Sequence, residues 1–281
     1  MKIGIVSVLY KSDSVIEDYI ESLNRQSFSD FEVLYIENDV TNRYCQQVIE
    51  EKSKYPFHFI RNAENVGIAT GNNQGIDYFD DRNDCDFILF MNNDVEFDSD
   101  FLQKHCEYHD RFGLDIIVPK ILYHDSQKIW YAGGSLSYLK GGPRHWGHNK
   151  KDRLQDQGYF AVDYAPTCSF LIKKDLLIKN NIRMWDQLFV YYDDYQFCLD
   201  IKKAGLTIYY VPELTLLHKI SSSTGGAESP FSRRFLTRNK FYLMRRHKNL
   251  MFLQTPAALL YYSLSGRSIE TKAILESLKM A

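Results

Sequence analysis

The sequence has 281 residues, of which 44% are hydrophobic, enough for one large α/β domain or for one domain with an appended subdomain. Its net charge of −2 argues against a protein whose whole surface binds nucleic acid. The five cysteines form no C-x-x-C pair, which predicts reduced thiols and argues against a disulfide framework or a zinc site.

Strand-like apolar runs alternate with helical patterns over the first third of the chain. The runs predict four strands, at 3–10, 31–38, 57–62 and 86–93, and the continuous apolar run of the first predicts a strand covered on both faces. A capping box, Ser14-x-x-Glu17, opens the first helix, and helical patterns at 41–54 and 68–81 predict the second and third. Repeated β-α units of this length predict an α/β fold with a parallel sheet and right-handed crossovers.

Polar residues collect where these predicted strands end. Ligands of parallel sheets bind beyond the carboxyl ends of the strands, so we expect a binding site at this edge. The residues concerned are Tyr10, Glu37, Asn38, Asp39, Arg61, Asn62, Asn92, Asn93 and Asp94.

The second half of the chain has a different pattern. Residues 131–153 are rich in glycine and charge, which predicts a hairpin with a long, mobile loop. From Ser229 to Ile269 there are eight Lys or Arg residues and no acidic residue. The predicted elements between these segments are a strand at 162–174, a helix from Tyr192 to Gly205, and two short strands at 206–212 and 214–219.

The triplet Asn92-Asn93-Asp94 directly follows the apolar run FILFM. Alternate residues of a strand point the same way, so Asn92 and Asp94 can offer oxygen atoms to one divalent cation that carries a diphosphate. The alternative is a turn or helix-cap role, which Asp98 or Ser99 could also fill for the next helix.

Seven segments occur together in an order and spacing typical of one family: IVSVLY, YIEND, RNAENVGIATGNNQGI, MNNDVEF, TCSFLIKKDLL, VYYDDYQFCLDIKKAG and YYVPELTLLHKISSSTGG. From Ile3 to about Arg246 the chain resembles the inverting glycosyltransferases of family 2, and within them the rhamnosyltransferase-like branch of bacterial surface-polysaccharide synthesis (O-antigen or cell-wall glycans). The resemblance implies a GT-A fold, a mixed, mainly parallel sheet flanked by helices. It divides the chain into a nucleotide-sugar-binding half (1–98), an acceptor-binding and catalytic half (99–228), and a basic, aromatic helical C-terminal extension (229–281).

The resemblance also implies a metal site. In this family one divalent metal bridges the donor diphosphate, and the corresponding ligands are Asp94, Asn92 in place of the first Asp of a D-x-D pattern, and His218. An imidazole among oxygen ligands suits Mn²⁺ better than Mg²⁺. Taken alone, His218 would be interpreted as a histidine packed at a strand end.

A catalytic base is implied by the Asp193-Asp194 pair, which matches the family's carboxylate pair at the start of a helix. Asp194 is assigned as the base that takes the proton of the acceptor hydroxyl, and the alternative is an ordinary N-cap. The sequence departs from the family at Gln196 and Asp200, where a second Asp and an Arg are usual.

Donor and acceptor contacts follow from the same resemblance. A pyrimidine nucleotide is implied, hence a dTDP- or UDP-sugar, with Glu37 in the place of the usual Asp. The nucleotide-sugar-binding residues are Val8, Tyr10, Glu37, Asn38, Arg61, Asn65, Gly67, Asn72 and Asn93. The acceptor or sugar pocket is assigned to Trp130, Gly133, Gly134, Thr167 and Cys168. For Gly67, Gly71 and Gly75 the alternative is a requirement of the backbone or of close helix packing.

The remaining expectations concern location and rival functions. With no signal peptide or membrane span in the sequence, we expect a cytoplasmic protein that acts on a glycan or polyprenyl-linked glycan. The basic tail is either a solvated helix with a packing face or a peripheral contact with the inner face of the plasma membrane. Rhamnose is the first choice of sugar, before galactofuranose or another hexose. A non-catalytic glycan-binding or sugar-nucleotide-binding scaffold is the alternative, whereas the lack of G-x-G-x-x-G disfavours a nicotinamide oxidoreductase.

Overall fold

The computed structural model of the protein describes residues 1–137, 141–152, 157–219, 226, 228–247 and 254–280. Within these ranges the strands are β1 (Ile3–Leu9), β2 (Phe31–Glu37), β3 (Phe57–Arg61), β4 (Phe87–Met91), β5 (Val95–Phe97), β6 (Ile116–Tyr123), β7 (Ile129–Tyr131), β8 (Gly134–Ser137), β9 (Gly142–His145), β10 (Phe160–Val162), β11 (Ser169–Lys173) and β12 (Ile208–His218). The helices are α1 (Ile16–Asn24), α2 (Tyr44–Lys52), α3 (Gly67–Arg82), α4 (Phe101–Phe112), α5 (Lys174–Lys179), α6 (Asp193–Lys203), α7 (Pro230–Arg246), α8 (Thr255–Leu264) and α9 (Ser268–Lys279).

Most of the strands form one mixed sheet, in the order β10-β12-β6-β11-β4-β1-β2-β3, with β5 beside β12 and β7 beside β6. Strands β4, β1, β2 and β3 are parallel neighbours. β11 runs antiparallel between β4 and β6, and β12 is parallel to β6. The predicted GT-A type fold, a mainly parallel sheet flanked by helices, is confirmed. Within the described residues β3 is the last strand at one edge.

The predicted strands of the first half form because their apolar runs are covered on both faces. Every residue of β1, β2 and β4 is buried, and each fully buried Ile or Leu contributes about 1.5–3 kcal/mol. Helix α3 packs closely on β1, because a Cβ at Gly75 would lie 2.4 Å from Cγ2 of Val6. The close-packing interpretation of Gly75 is therefore confirmed.

The side-chain caps predicted for the N-termini of α1 and α4 were wrong. Helix α1 has no side-chain cap, since Val15 is its N-cap and the Ser12 carbonyl accepts from the amides of Val15 and Ile16. Neither Asp98 nor Ser99 caps α4, whose N-cap is Asp100 without a side-chain hydrogen bond.

Two strand assignments in the second half also need correction. The predicted strand at 162–174 is two strands, β10 and β11, which pair with different neighbours. The predicted pair of strands at 206–212 and 214–219 is one strand, β12, which shifts its register against β6 between Val211 and Thr215. Pro212, which has no amide to donate, lies in this irregular segment, and such segments tolerate proline.

The predicted hairpin of the glycine-rich segment is present as β8 and β9. The predicted mobile loop falls partly at 138–140 and at 153, outside the described residues. The C-terminal extension is helical, as expected: Ser229 caps α7, and Arg233 of α7 makes a two-pronged ion pair with Glu270 of α9. In the part of the chain that the structure describes, no helix is long and apolar enough to span a membrane.

Candidate active site

Asp94 and His218 are brought together by the pairing of β5 with β12. The two strands are antiparallel, with Val95 opposite His218. As a result Oδ1 of Asp94 lies 3.1 Å from Nε2 of His218, and the two side chains are only 13% and 8% exposed.

This spacing fits two ligands of one metal ion. Ligands at right angles, each about 2.1 Å from an ion, lie roughly 3 Å apart. Asn92 adds an amide next to them, since its side chain hydrogen-bonds to Asp94. Among the described residues no group of three or more His, Cys, Asp or Glu side chains is placed to hold a metal. A divalent ion here would meet a carboxylate, an imidazole and an amide of this chain, and its further ligands would have to come from a diphosphate or water.

The charges of this pair are coupled. Burial opposes ionisation of Asp94, but the adjacent His218 and hydrogen bonds, including one from Asn92, hold the pKa of that carboxyl below its ordinary value. Burial also opposes the charged form of His218, yet contacts with Cys168 and Asp94 raise its pKa well above the ordinary value. A cation bound here would take the place of the imidazole proton.

Asp193 and Asp194 are the first two residues of α6; Asp193 is buried and Asp194 is half-buried. Oδ2 of Asp194 accepts a hydrogen bond of 2.5 Å from the hydroxyl of Tyr164, and its Oδ1 accepts one of 2.6 Å from the amide of Tyr195. Asp193 is hydrogen-bonded to the side chain of Thr167. Asp194 therefore satisfies one amide of the first helical turn, as a cap would, and holds its carboxylate against a tyrosine as well.

Burial shifts the pKa values of both carboxyls upward. Desolvation, together with the charge of Asp194, raises the pKa of Asp193 to about 7. Desolvation also raises the pKa of Asp194, although the hydrogen bonds from Tyr164 and Tyr195 act in the opposite direction. A carboxylate with a raised pKa is a stronger base, which suits proton abstraction near neutral pH.

The Asp94–His218 pair and the Asp193–Asp194 pair line the same cavity, which has a volume of about 700 Å³. Thirteen of the predicted site residues line it: Val8, Tyr10, Asn38, Asn65, Gly67, Asn92, Asp94, Trp130, Thr167, Cys168, Asp193, Asp194 and His218.

Six predicted site residues do not line the cavity: Glu37, Arg61, Asn72, Asn93, Gly133 and Gly134. Asn93 donates to the carbonyl of Val8 (2.7 Å) and Asn72 donates to the sulfur of Met184 (3.3 Å), so both hold the surrounding backbone and side chains. A Cβ at Gly133 would collide with the Trp146 ring, which indicates a packing role.

Glu37 and Arg61 form an ion pair at the ends of β2 and β3, with 3.4 Å between Nε of Arg61 and Oε2 of Glu37. The other oxygen of Glu37, Oε1, is buried and has no hydrogen-bond partner among the described residues. Burial raises the pKa of this carboxyl, and the positive charge of Arg61 partly offsets the rise. A free acceptor at this strand end is compatible with an N–H donor of a base ring.

Several cavity residues were missed by the sequence analysis. Tyr164 and His145 stack with 5.4 Å between ring centroids, and Trp130 contacts both His145 and His218 edge to face. Tyr164 stood within an apolar segment with no polar signal, so no pattern singled it out. The other missed lining residues are Lys11, Ile68, Pro143, Pro166, Phe189, Val190, Tyr191, Tyr192, Phe231 and Leu236.

Gly67 begins α3 at the cavity and has a backbone conformation that favours glycine. Its φ is +83°, and a Cβ there would lie 2.4 Å from the carbonyl oxygen of Phe189. The amide of the next residue, Ile68, donates to that same oxygen at 2.7 Å. The glycine therefore lets the loop before Asp193 rest directly on the start of α3.

Solved structures with the same fold bind nucleotide sugars. TarS of S. aureus, residues 1–349 in complex with UDP-GlcNAc, aligns with a TM-score of 0.61 at 16% identity, covering 99% of this chain and 81% of that one. GalNAc-T7 with UDP, GalNAc and Mn²⁺ aligns with a TM-score of 0.64 at 12% identity, covering 85% of this chain and 47% of that one. At these identities the similarity shows the fold, which is that of nucleotide-sugar glycosyltransferases.

The sequence matches the family model "Glycosyl transferase family 2" over residues 5–180, more than half of the chain. The chain therefore belongs to glycosyl transferase family 2 and is a glycosyltransferase. The matched segment includes Asp94 but ends before Asp193, Asp194 and His218.

Two named relatives agree with this assignment. The dTDP-rhamnosyl transferase RfbF of Shigella flexneri is 24% identical over 198 residues, which is 68% of this chain and 64% of that protein. The low-salt glycan biosynthesis hexosyltransferase Agl10 of Haloferax volcanii is 22% identical over 249 residues, or 85% of this chain and 74% of that protein. The chain thus spans less than two thirds of the length of RfbF.

Removing the buried Asp193 carboxyl should stabilise the folded protein by an amount that depends on pH. Its pKa in the folded protein, about 7, exceeds the ordinary value of 3.8, so the folded state holds the proton more tightly than the unfolded state. Its contribution to stability is complete below about pH 4 and is lost as pH rises through 7. We expect Asp193→Asn to be more stable than wild type at pH 8.5 and to show a smaller difference at pH 5.5 in urea denaturation. Asp110→Asn, exposed on α4, is the control. An equal effect of Asp193→Asn at both pH values would contradict the shift.

Proposed function

We propose that this protein transfers a sugar, with rhamnose as the first candidate, from a dTDP- or UDP-linked donor to a hydroxyl group of a glycan or polyprenyl-linked glycan. The reaction inverts the anomeric centre in one displacement, and it belongs to bacterial surface-polysaccharide synthesis. One observation carries the proposal: the Asp94–His218 pair and the Asp193–Asp194 pair line the same cavity.

The choice of donor is supported by the relatives. RfbF is a dTDP-rhamnosyl transferase by name, and TarS is bound to UDP-GlcNAc. The bases of both nucleotides, thymine and uracil, are pyrimidines. In this chain Val8, Tyr10 and Asn38 lie in the cavity lining beside Gly67, at the carboxyl ends of β1 and β2. The hexosyltransferase Agl10 supports another hexose as the second candidate.

The divalent cation of the proposed reaction, Mn²⁺ or Mg²⁺, would be held by Asp94 and His218 with Asn92 beside them. When bound, it neutralises the negative charge that develops on the departing nucleoside diphosphate. The observed spacing of the two ligand atoms, 3.1 Å, supports this assignment.

Asp194 acts as the base in this proposal. As the acceptor oxygen forms its bond to the anomeric carbon, the carboxylate takes the hydroxyl proton while the bond from that carbon to the diphosphate breaks. The Tyr164 hydroxyl and the Tyr195 amide fix the carboxylate in one orientation. The raised pKa of the Asp194 carboxyl strengthens it as a base. A non-catalytic scaffold would have no need to bury two adjacent carboxyls at a cavity wall.

Asp194→Asn should separate catalysis from donor binding. The amide keeps the side-chain shape but cannot take a proton, so we expect metal-dependent transfer or donor hydrolysis to fall by about 10²–10⁴-fold. The affinity for UDP or dTDP, measured by calorimetry with Mn²⁺, should stay near that of wild type. Asp175→Asn, exposed on α5, is the control. Near-normal turnover of Asp194→Asn would rule out Asp194 as the base.

Asp94→Ala and His218→Ala should each weaken the binding of UDP in the presence of Mn²⁺. Loss of one metal ligand is expected to cost at least about 10-fold in affinity, and the remaining binding should no longer respond to EDTA. Calorimetric titrations with and without Mn²⁺ measure both effects. His58→Ala, on β3 away from the cavity, is the matched control. If metal-dependent affinity were unchanged in either variant, that residue would be rejected as a ligand.

We also propose that α8 rests on an anionic membrane at the inner face of the plasma membrane, next to a lipid-linked acceptor. The helix carries no charged residue, and its Leu260, Tyr261 and Leu264 side chains are 62%, 60% and 79% exposed. Arg267 follows directly and is exposed. Apolar and aromatic side chains bordered by a cation suit the headgroup region of such a membrane. Lys248, also part of the basic tail, lies outside the described residues.

Replacing both exposed leucines of α8, as in Leu260→Ser with Leu264→Ser, should reduce co-sedimentation with vesicles that contain phosphatidylglycerol by at least about threefold, since each removes apolar area from the contact. Vesicles of phosphatidylcholine alone should bind wild type weakly. Val40→Ser, an equally exposed apolar residue near α2, is the control. Equal sedimentation of the α8 variant and wild type would contradict membrane docking through this helix.

A further inference from the structure

The loop before Asp193 has an unusual backbone conformation. Phe189, Tyr191 and Tyr192 have φ angles of 65°, 65° and 66°. This left-handed region crowds any side chain with a Cβ, so three such residues in a row of four persist only when surrounding contacts hold them. Tyr192 is the N-cap of α6 and is followed directly by the two acidic residues.

Asn239 of α7 supplies most of those contacts. Its side chain is fully buried. Its Nδ2 lies 2.8 Å from the carbonyl oxygen of Leu188, 2.9 Å from that of Val190 and 2.8 Å from that of Tyr191. An amide has two hydrogens to donate, so the three carbonyls share them.

The network around Asn239 fixes which way its amide points. Nε of Arg238 donates to Oδ1 of Asn239 at 2.8 Å, so Oδ1 is the acceptor and Nδ2 faces the loop. Arg238 also donates to the carbonyls of Gln187 and Leu188, each at 2.9 Å. The carbonyl of Phe189 receives no hydrogen bond from Arg238 or Asn239. It accepts one from the backbone amide of Ile68 in α3 instead. The four carbonyls from Leu188 to Tyr191 are therefore all held from outside the loop.

Helix α7 also contributes directly to the cavity. Phe231 and Leu236 line it, and Ser232 hydrogen-bonds through its hydroxyl to the hydroxyl of Tyr191 at 2.8 Å. Apolar contacts alone would be enough to pack α7 on the domain. An amide whose donors all meet backbone carbonyls of one loop has a more specific effect, because it selects one backbone conformation of that loop.

We propose that Asn239 is a positioning residue: its amide holds the loop 188–192 in the conformation that directs Asp194 into the cavity. This inference rests on the proposed function insofar as Asp194 is the base. It places the helical extension, which lies beyond the segment matched by the family model, within the catalytic apparatus.

Two variants of Asn239 test the proposal in the full-length protein. Asn239→Asp keeps the acceptor for Arg238 but places an oxygen against three carbonyls, and Asn239→Ala removes both functions. Glu270→Gln is the matched control, because it weakens the contact between α7 and α9 without touching the loop. Each protein is measured at a temperature where circular dichroism shows that it is folded.

The first measurement is hydrogen–deuterium exchange of the amides from 187 to 192, which needs no activity. The second is the pair kcat and donor KM for Mn²⁺-dependent cleavage of the dTDP- or UDP-sugar that wild type uses best, with the affinity for UDP from calorimetry. In both Asn239 variants we expect faster exchange in the loop and a fall in kcat of about 10–100-fold, since a small misplacement of a catalytic group has effects of this size. UDP affinity should change by less than about twofold, and Glu270→Gln should resemble wild type.

Unchanged exchange in both variants would overturn the proposal, as would faster exchange with normal kcat. An equal loss of kcat and UDP affinity would also overturn it, since that result indicates a general loss of structure. Failure of the proposed function is a separate outcome: Asp194→Asn would then retain turnover, while the exchange measurement would still decide whether Asn239 holds the loop.

Discussion

The antiparallel pairing of β5 with β12 is the contact on which the site depends. It joins two segments more than 100 residues apart in the sequence and sets Val95 opposite His218, which places the imidazole against Asp94. β12 also runs parallel to β6, so its position is fixed from two sides. Asp94 and His218, which are far apart in sequence, are therefore adjacent only when the sheet is complete.

The sequence predicted those features that local patterns encode. The apolar runs of β1, β2 and β4 required cover on both faces, and the polar residues at their ends had to meet at one edge because the strands are parallel. The resemblance added Asp193, Asp194 and His218. All three share the cavity with Asp94. The six residues that do not line it were assigned from motifs, and a motif does not reveal which side chains are used to hold the backbone.

The features that the sequence did not predict depend on contacts between distant segments of the chain. The sequence pattern predicted two short strands at 206–212 and 214–219, whereas β6 pairs with both halves and β12 is continuous. Tyr164 is buried, and the polar role of its side chain comes from the hydrogen bond that its hydroxyl donates to Asp194. Asn239 stood among basic and aromatic residues that suggested a surface. Its role arises because α7 folds back on the loop before α6, which no spacing within α7 encodes.

The position of β3 has a consequence for the behaviour of the protein in concentrated solution. It is the last strand of the sheet in the described part of the chain, and an open edge can template the addition of a strand from another molecule. Here that edge carries His58 and Arg61, with side chains 41% and 49% exposed. Pairing of this edge with a second chain would remove water from these two polar side chains. The desolvation cost disfavours extension of the sheet into fibrils.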